Sequence, residues 1–189
     1  MTIHILSKIR LLFLFVIILL LANKVDANTD SLKQIWTNVA QPDSIRFKAI
    51  NAYYKKNLFA QPDSVILLTA YHIELANQKH LRKEKAIALG RKAVAFSVKG
   101  DYDNALIEIN KTVEIYSNIN DSISLAKTYN NLAIIYKRTI DYQKALKYFS
   151  KCQVFYQAKK IEDAQASVLI NIGRIHLAIN NYDLSLIHI

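Results

Sequence analysis

Five histidines and one cysteine are the groups of this 189-residue chain best suited to acid–base, nucleophilic or metal chemistry. His4, His72, His80, His176 and His188 are scattered, and none stands at metal-ligand spacing from another His, a Cys or an acid. A phosphate-binding loop needs clustered glycines, and Gly90, Gly100 and Gly173 lie far apart. No serine sits in a nucleophile elbow, and Cys152 falls at a small helix position that suits a core. Asn110-Lys-Thr and Asn120-Asp-Ser match a glycosylation sequon, a pattern that an Asn-rich chain also makes by chance. These residues therefore predict no catalytic centre, no metal site and no cofactor.

Helices must position whatever these side chains do. Proline occurs only at 42 and 62, and Ala, Leu, Ile, Lys and Asn abound. No alternating strand pattern appears, so the chain reads as all-α. Residues 1–27 read separately, as a secretory signal: Lys8 and Arg10 precede the apolar run Leu11–Ala22, and Val25-Asp26-Ala27 places a small residue at the cleavage point. That run of twelve is shorter than the ~20 residues that span a ~30 Å hydrocarbon core. Cleavage after Ala27 is the expectation and an uncleaved anchor the alternative, with the protein exported, periplasmic or membrane-associated in a bacterium. Loss of 1–27 removes Lys8, Arg10, Lys24 and Asp26, which lowers the formal charge from +10 to +8. A basic surface suits an acidic peptide or anionic lipid, and export argues against nucleic acid. A solvated Lys-rich helical surface is the plainer account of the same charge. One cysteine leaves packing alone to hold the domain.

A repeat of forty residues organises the rest. GDYDNALIEI, IDYQKALKYF and NNYDLSLIHI begin at 100, 140 and 180. Aligning 101–140 with 141–180 gives nine identities, against roughly two or three for unrelated stretches, so the period is real. Tyr102, Tyr142 and Tyr182 share one phase, as do the small residues Ala105, Ala145 and Ser185. Upstream, Ala93, Ala133 and Gly173 are small, with Phe96, Tyr136 and His176 three residues later. His176 thereby reads as a packing residue rather than a ligand. Facing small residues let two helices cross closely while large neighbours fill the flanks. This spacing defines an antiparallel helical hairpin.

The stretch YNNLAIIYKRTIDYQKALKYF, 129–149, resembles the tetratricopeptide repeat: Tyr129, Leu132, Ala133 and Tyr136 mark one helix, and Asp141, Tyr142, Ala145, Leu146 and Phe149 the next. The resemblance implies an α-solenoid of antiparallel hairpins in a right-handed superhelix. It is strong over 84–183 and weaker over 43–83. The period of forty exceeds the family's usual ~34, and Ser117 and Gln157 stand near the place of the customary proline. Ala93, Phe96, Tyr102, Ala105, Leu132, Ala133, Tyr136, Tyr142, Ala145, Gly173 and Tyr182 are the expected packing residues. The signal at 1–27 and a lead-in at 28–42, which holds Trp36, precede hairpins at about 43–82, 83–121, 122–161 and 162–189. QPDS at 41–44 and again at 61–64 is a helix-start signature, placing helix openings near Asp43 and Asp63. The fourth hairpin turns near 180 and begins its second helix near Tyr182.

The family's ligand-facing positions, carried over, are Lys127, Asn130, Asn131, Ile134 and Lys137, then Ser167, Ile170, Asn171, Arg174 and Leu177. The preceding repeat offers Ile87, Gly90, Arg91, Val94 and Ser97. A carboxamide can hold a peptide bond through acceptor and donor together, so Asn131 and Asn171 form a potential ladder. Solvated or helix-bridging asparagines are the alternative. Lys127, Lys137 and Arg174 favour an acidic peptide or free carboxylate. With Gly90 and Val94 where the family's carboxylate clamp needs Lys and Asn, that clamp is not expected.

The resemblance thus implies a protein or peptide interaction module. A membrane enters only through an uncleaved signal or a further C-terminal segment. One alternative is the sensor region of a transmembrane signalling protein, a histidine kinase or transcriptional regulator with its output domain beyond these residues; another is a periplasmic scaffold. A fourth hairpin that stops after one or two turns implies the front part of a longer protein. Leu184–Ile189, LSLIHI, also matches one reading frame of a transposon-derived sequencing adapter end, the competing origin for those six residues.

Overall fold

The computed structural model describes residues 30–187, with side-chain placement through residue 179. The expected signal at 1–27 lies outside the described residues, as do the side chains of Tyr182 and of 184–189. Every described element is a helix: α1 at 30–37, α2 Asp43–Asn57, α3 Pro62–Gln78, α4 Arg82–Lys99, α5 Tyr102–Asn118, α6 Ser122–Arg138, α7 Tyr142–Ala158 and α8 Glu162–Ile187. No described helix is long and apolar enough to cross a membrane.

The chain divides into two compact units, one ending at Lys56 and one beginning at Asn57. In the first, part of the lead-in is helical and held to α2. The Trp36 ring meets Tyr53 edge-on at 5.4 Å. Arg46 Nε donates to the Trp36 carbonyl at 2.9 Å, and its Nη1 pairs with Asp43 at 3.0 Å.

In the second unit each helix packs on the next, from α3 through α8, and α4 also touches α6. The hairpins cross where alanines leave no gap. Ala93 and Ala105 are fully buried between α4 and α5, and Ala133 and Ala145 between α6 and α7. Leu132 and Ile135 of α6 close over Ala93, Ala105 and Ile109, flanked by Phe96, Tyr102 and Tyr136. Val168 and Ile175 of α8, seven residues apart on one face, close over Ala133, Ala145 and Phe149, with Tyr142 packed alongside. The apolar seam is thereby continuous from α4 to α8.

One turn recurs every twenty residues. His80, Gly100, Asn120, Ile140 and Lys160 all have positive φ, between 54° and 82°. In each turn the next residue's N–H reaches back to a carbonyl of the closing helix, as Asp101 does to Phe96 at 3.0 Å and Asp141 to Tyr136 at 2.9 Å. Asp101, Asp121 and Asp141 then cap the following helix by accepting from Asn104, Ser124 and Lys144 N–H at 3.2, 3.0 and 3.1 Å. The Lys83 ammonium, 2.7 Å from Asp121, holds that carboxyl below the usual range and ties α4 to the start of α6. The second QPDS opens α3 through Pro62 in the first turn, not through a side-chain cap: Gln61 makes no capping bond, and Asp63 pairs instead with Lys99 of α4.

The fourth repeat departs from its expected form. No turn interrupts α8 near 180, and the helix continues to Ile187. A second helix starting at 182 would need its own nucleus, whereas extending α8 adds a hydrogen bond per residue. Gly173 therefore crosses nothing. It is exposed, with open space within 4 Å of where a Cβ would stand, and His176 is exposed beside it. The buried face of α8 is the one toward α7.

Ile140 is the strained member of the turn set. A β-branched residue at φ 64° sits where L side chains collide with their own backbone, at a cost of roughly 1–2 kcal/mol. Its side chain is 62% exposed and gains little in return. Ile140→Gly is expected to stabilise the protein by about 1 kcal/mol, read as a raised thermal midpoint. An unchanged or lowered midpoint would show that the turn carries no such strain.

Candidate peptide-binding surface

Lys127, Asn130, Asn131, Ile134 and Lys137 recur at helical spacing on α6, on a face that the hairpin crossing does not use. Ile87, Gly90, Arg91 and Val94 do the same on α4. The two sets meet across a cavity of about 330 Å³, lined by Ile87, Gly90, Arg91 and Val94 on one side and Lys127, Asn130 and Asn131 on the other. Its floor includes Thr112 and Tyr116 of α5, which reading the alternate helices alone did not anticipate. The signal for them was present: they lie four apart, on one stripe of α5. A second depression of about 190 Å³ lies beside the first, lined by Val94, Ser97, Asn131, Ile134 and Arg138 among others. Asn131 stands on the rim common to both.

The three asparagines are not equivalent. Asn171 is engaged: its Oδ1 accepts from Lys137 Nζ at 2.6 Å, and its Nδ2 donates to the Ser167 carbonyl at 3.1 Å. The carboxamide at the matching position of α6, Asn131, is half-buried and, among the described residues, hydrogen-bonds to nothing. Asn130 presents a buried Oδ1 with no donor in reach, an acceptor that water or a ligand N–H would satisfy. The structure therefore offers unengaged amides on α6 and an internally bridged one on α8. Ile170 and Arg174 are exposed on α8.

The electrostatics are one-signed. Among the described residues, Arg91, Lys127, Lys137, Arg138 and Arg174 form no ion pair. Arg138 Nη1 donates to the Ser97 carbonyl at 3.0 Å, which fixes it against α4. Burial, then the neighbouring charges of Arg174 and Arg138, push the Lys137 ammonium below its ordinary pKa.

Elsewhere the titratable groups are structural. His72 is fully buried with its Nε2 3.2 Å from Glu84, a contact between α3 and α4. Cys152 is fully buried, its Sγ donating to the Ala126 carbonyl at 3.3 Å, and burial pushes the thiol up to about 12. Among the described residues no group of His, Cys, Asp and Glu could hold a metal.

Helices α3–α8 thus make an α-solenoid of antiparallel hairpins, a class of protein that works by presenting surfaces. Residues 84–158, from α4 to the end of α7, match the family model for the tetratricopeptide repeat. Over these residues the chain matches the tetratricopeptide repeat, and such repeats are protein–protein interaction modules, typically without catalysis of their own. No curated protein matches the chain.

With its thiolate disfavoured and its sulfur enclosed, Cys152 is expected to resist a thiol reagent at neutral pH in the native protein and to react fully once unfolded. Fast stoichiometric labelling of the folded protein would contradict the burial assigned to it.

Proposed function

We propose that this protein is an exported interaction module that binds an extended acidic peptide, or an acidic segment of a partner protein, along the α4, α6 and α8 face. The observation that carries the proposal is a set of cations without counter-charges on that face, interleaved with the free Asn131 amide and the orphaned Asn130 oxygen. Structural cations are normally paired or fully solvated. Here Lys137 is half-buried beside Arg174 and Arg138, a like-charge cluster that an incoming carboxylate would relieve. Apolar Ile87, Val94 and Ile134 between the charges would take aliphatic side chains of the same segment.

Fluorescence anisotropy with two labelled peptides of equal length, one rich in Glu and one in Lys, tests this reading. The acidic peptide is expected to bind, with affinity that falls as salt rises. Lys137→Glu with Arg174→Glu is expected to weaken it about tenfold or more, and Asn131→Ala by a smaller factor, with the melting temperature held. Equal binding of both peptides, or indifference to the charge reversals, would overturn it.

Export is supported by the charged start, the short apolar run and the small residue at Ala27. If the signal is cut, N-terminal sequencing of protein recovered from the periplasm of an expressing bacterium reads from Asn28. Recovery in the cytoplasm with residues 1–27 intact would refute it.

A further inference from the structure

We infer that the outer seam of the α6–α7 hairpin is a second docking site, for a protein segment that presents bulky apolar side chains flanked by carboxylates. The seam is a groove of about 580 Å³, walled by Leu125 and Tyr129 of α6 and by Val154 and Phe155 of α7, with Lys147 and Lys151 along its edge. It is separate from the face described above. One residue step on a helix turns about 100°, so Tyr129 points about 100° away from Asn130 and about 140° away from Ile134.

The repeat itself does not require these apolar residues. Forty positions earlier, on α4 and α5, Lys85 stands in place of Leu125 and Glu114 in place of Val154. The preceding hairpin thus carries a lysine and a glutamate at the same two places. Val154 is 68% exposed, an aliphatic side chain held in water where the neighbouring repeat has a carboxylate. Together with Leu125, Tyr129 and Phe155 it makes one contiguous apolar strip, which a partner would cover.

The charges say what kind. Lys151 Nζ lies 5.1 Å from the Tyr129 ring centre and 5.4 Å from that of Tyr148, and Tyr148 stacks in turn on Tyr136 at 5.7 Å. The ring stack holds the ammonium at the groove edge while leaving its N–H groups to donate to a second contact. Among the described residues neither Lys147 nor Lys151 is in an ion pair, and no acid lines the groove. An apolar floor under unpaired cations is complementary to apolar side chains with acidic neighbours. With Val154 open to solvent the groove would not enclose an acyl chain. It suits side chains delivered from a backbone that runs outside it.

The test uses the full chain and a labelled peptide carrying Leu and Phe between pairs of Glu. Leu125→Lys with Val154→Glu places the residues of the preceding repeat at half-buried 125 and exposed 154. It is expected to weaken that peptide about tenfold or more with the melting temperature unchanged. Because the other face also takes acidic segments, this binding is read in the Lys137→Glu, Arg174→Glu background, where the peptide is expected still to bind and the Leu125→Lys, Val154→Glu pair to remove what remains. Loss of binding only in the Lys137 and Arg174 variant would place the peptide on the other face and overturn the inference while sparing the first proposal. No binding to the wild type, or displacement by laurate at equal concentration, would also overturn it.

Discussion

Ala93 against Ala105 and Ala133 against Ala145 are the contacts on which the rest depends. A methyl on each helix lets two backbones approach until no larger side chain fits between them, and the rings of Phe96, Tyr136 and Tyr148 fill the space on either side. Close approach also sets how much apolar surface remains for the next helix. Leu132 and Ile135 can reach across to the α4–α5 pair only because that pair is thin at its crossing. A larger residue there would push the hairpin apart and disturb its own closure and its neighbour's together. This is the nearest-neighbour character of a solenoid expressed in single atoms.

The turn of twenty residues makes that stacking regular. Both kinds of connection, within a hairpin and between hairpins, use one left-handed residue and one backward N–H. Successive helices therefore leave each turn in a similar way, and the same positions of α4 and α6 come to line one cavity. The candidate surface is a consequence of that regularity. No loop was needed to build it, and its residues sit on rigid helices whose opposite faces are locked in the seam.

Much of this was legible in the residues, for identifiable reasons. Asp141 stands at the start of α7 in the repeat motif, and the Tyr–x–x–Ala–Leu phase fixes the buried faces of α5 and α7. The positive φ at Ile140 was not legible, because a β-branched residue there runs against its own preference and only the tertiary fit imposes it. The unbroken α8 was missed because the repeat phase runs through 180 and periodicity alone cannot say whether a second helix will find a surface to pack on. Asn131 and Asn171 look alike in sequence. Only coordinates show that Lys137 reaches across to occupy Asn171 and leaves Asn131 open. The outer groove was missed for another reason. It shows itself as a difference between repeats, Leu125 and Val154 against Lys85 and Glu114, whereas the reading of the repeat attended to what stays the same.

The distribution of acids explains why both candidate surfaces carry the same sign. Asp63, Glu108 and Asp121 each bind a lysine of α4, joining it to α3, α5 and the start of α6. Asp141 is held by Lys144 at the start of α7. These four carboxylates are thus engaged in joining or capping helices. The cations outnumber them, and the surplus is left on faces that no neighbouring helix covers. Arg91, Lys127, Lys137 and Arg174 lie on one such face, Lys147 and Lys151 on another. A basic chain of this kind need not be basic everywhere: several of its acids join or cap helices, and the two candidate surfaces on either side of α6 are left positive.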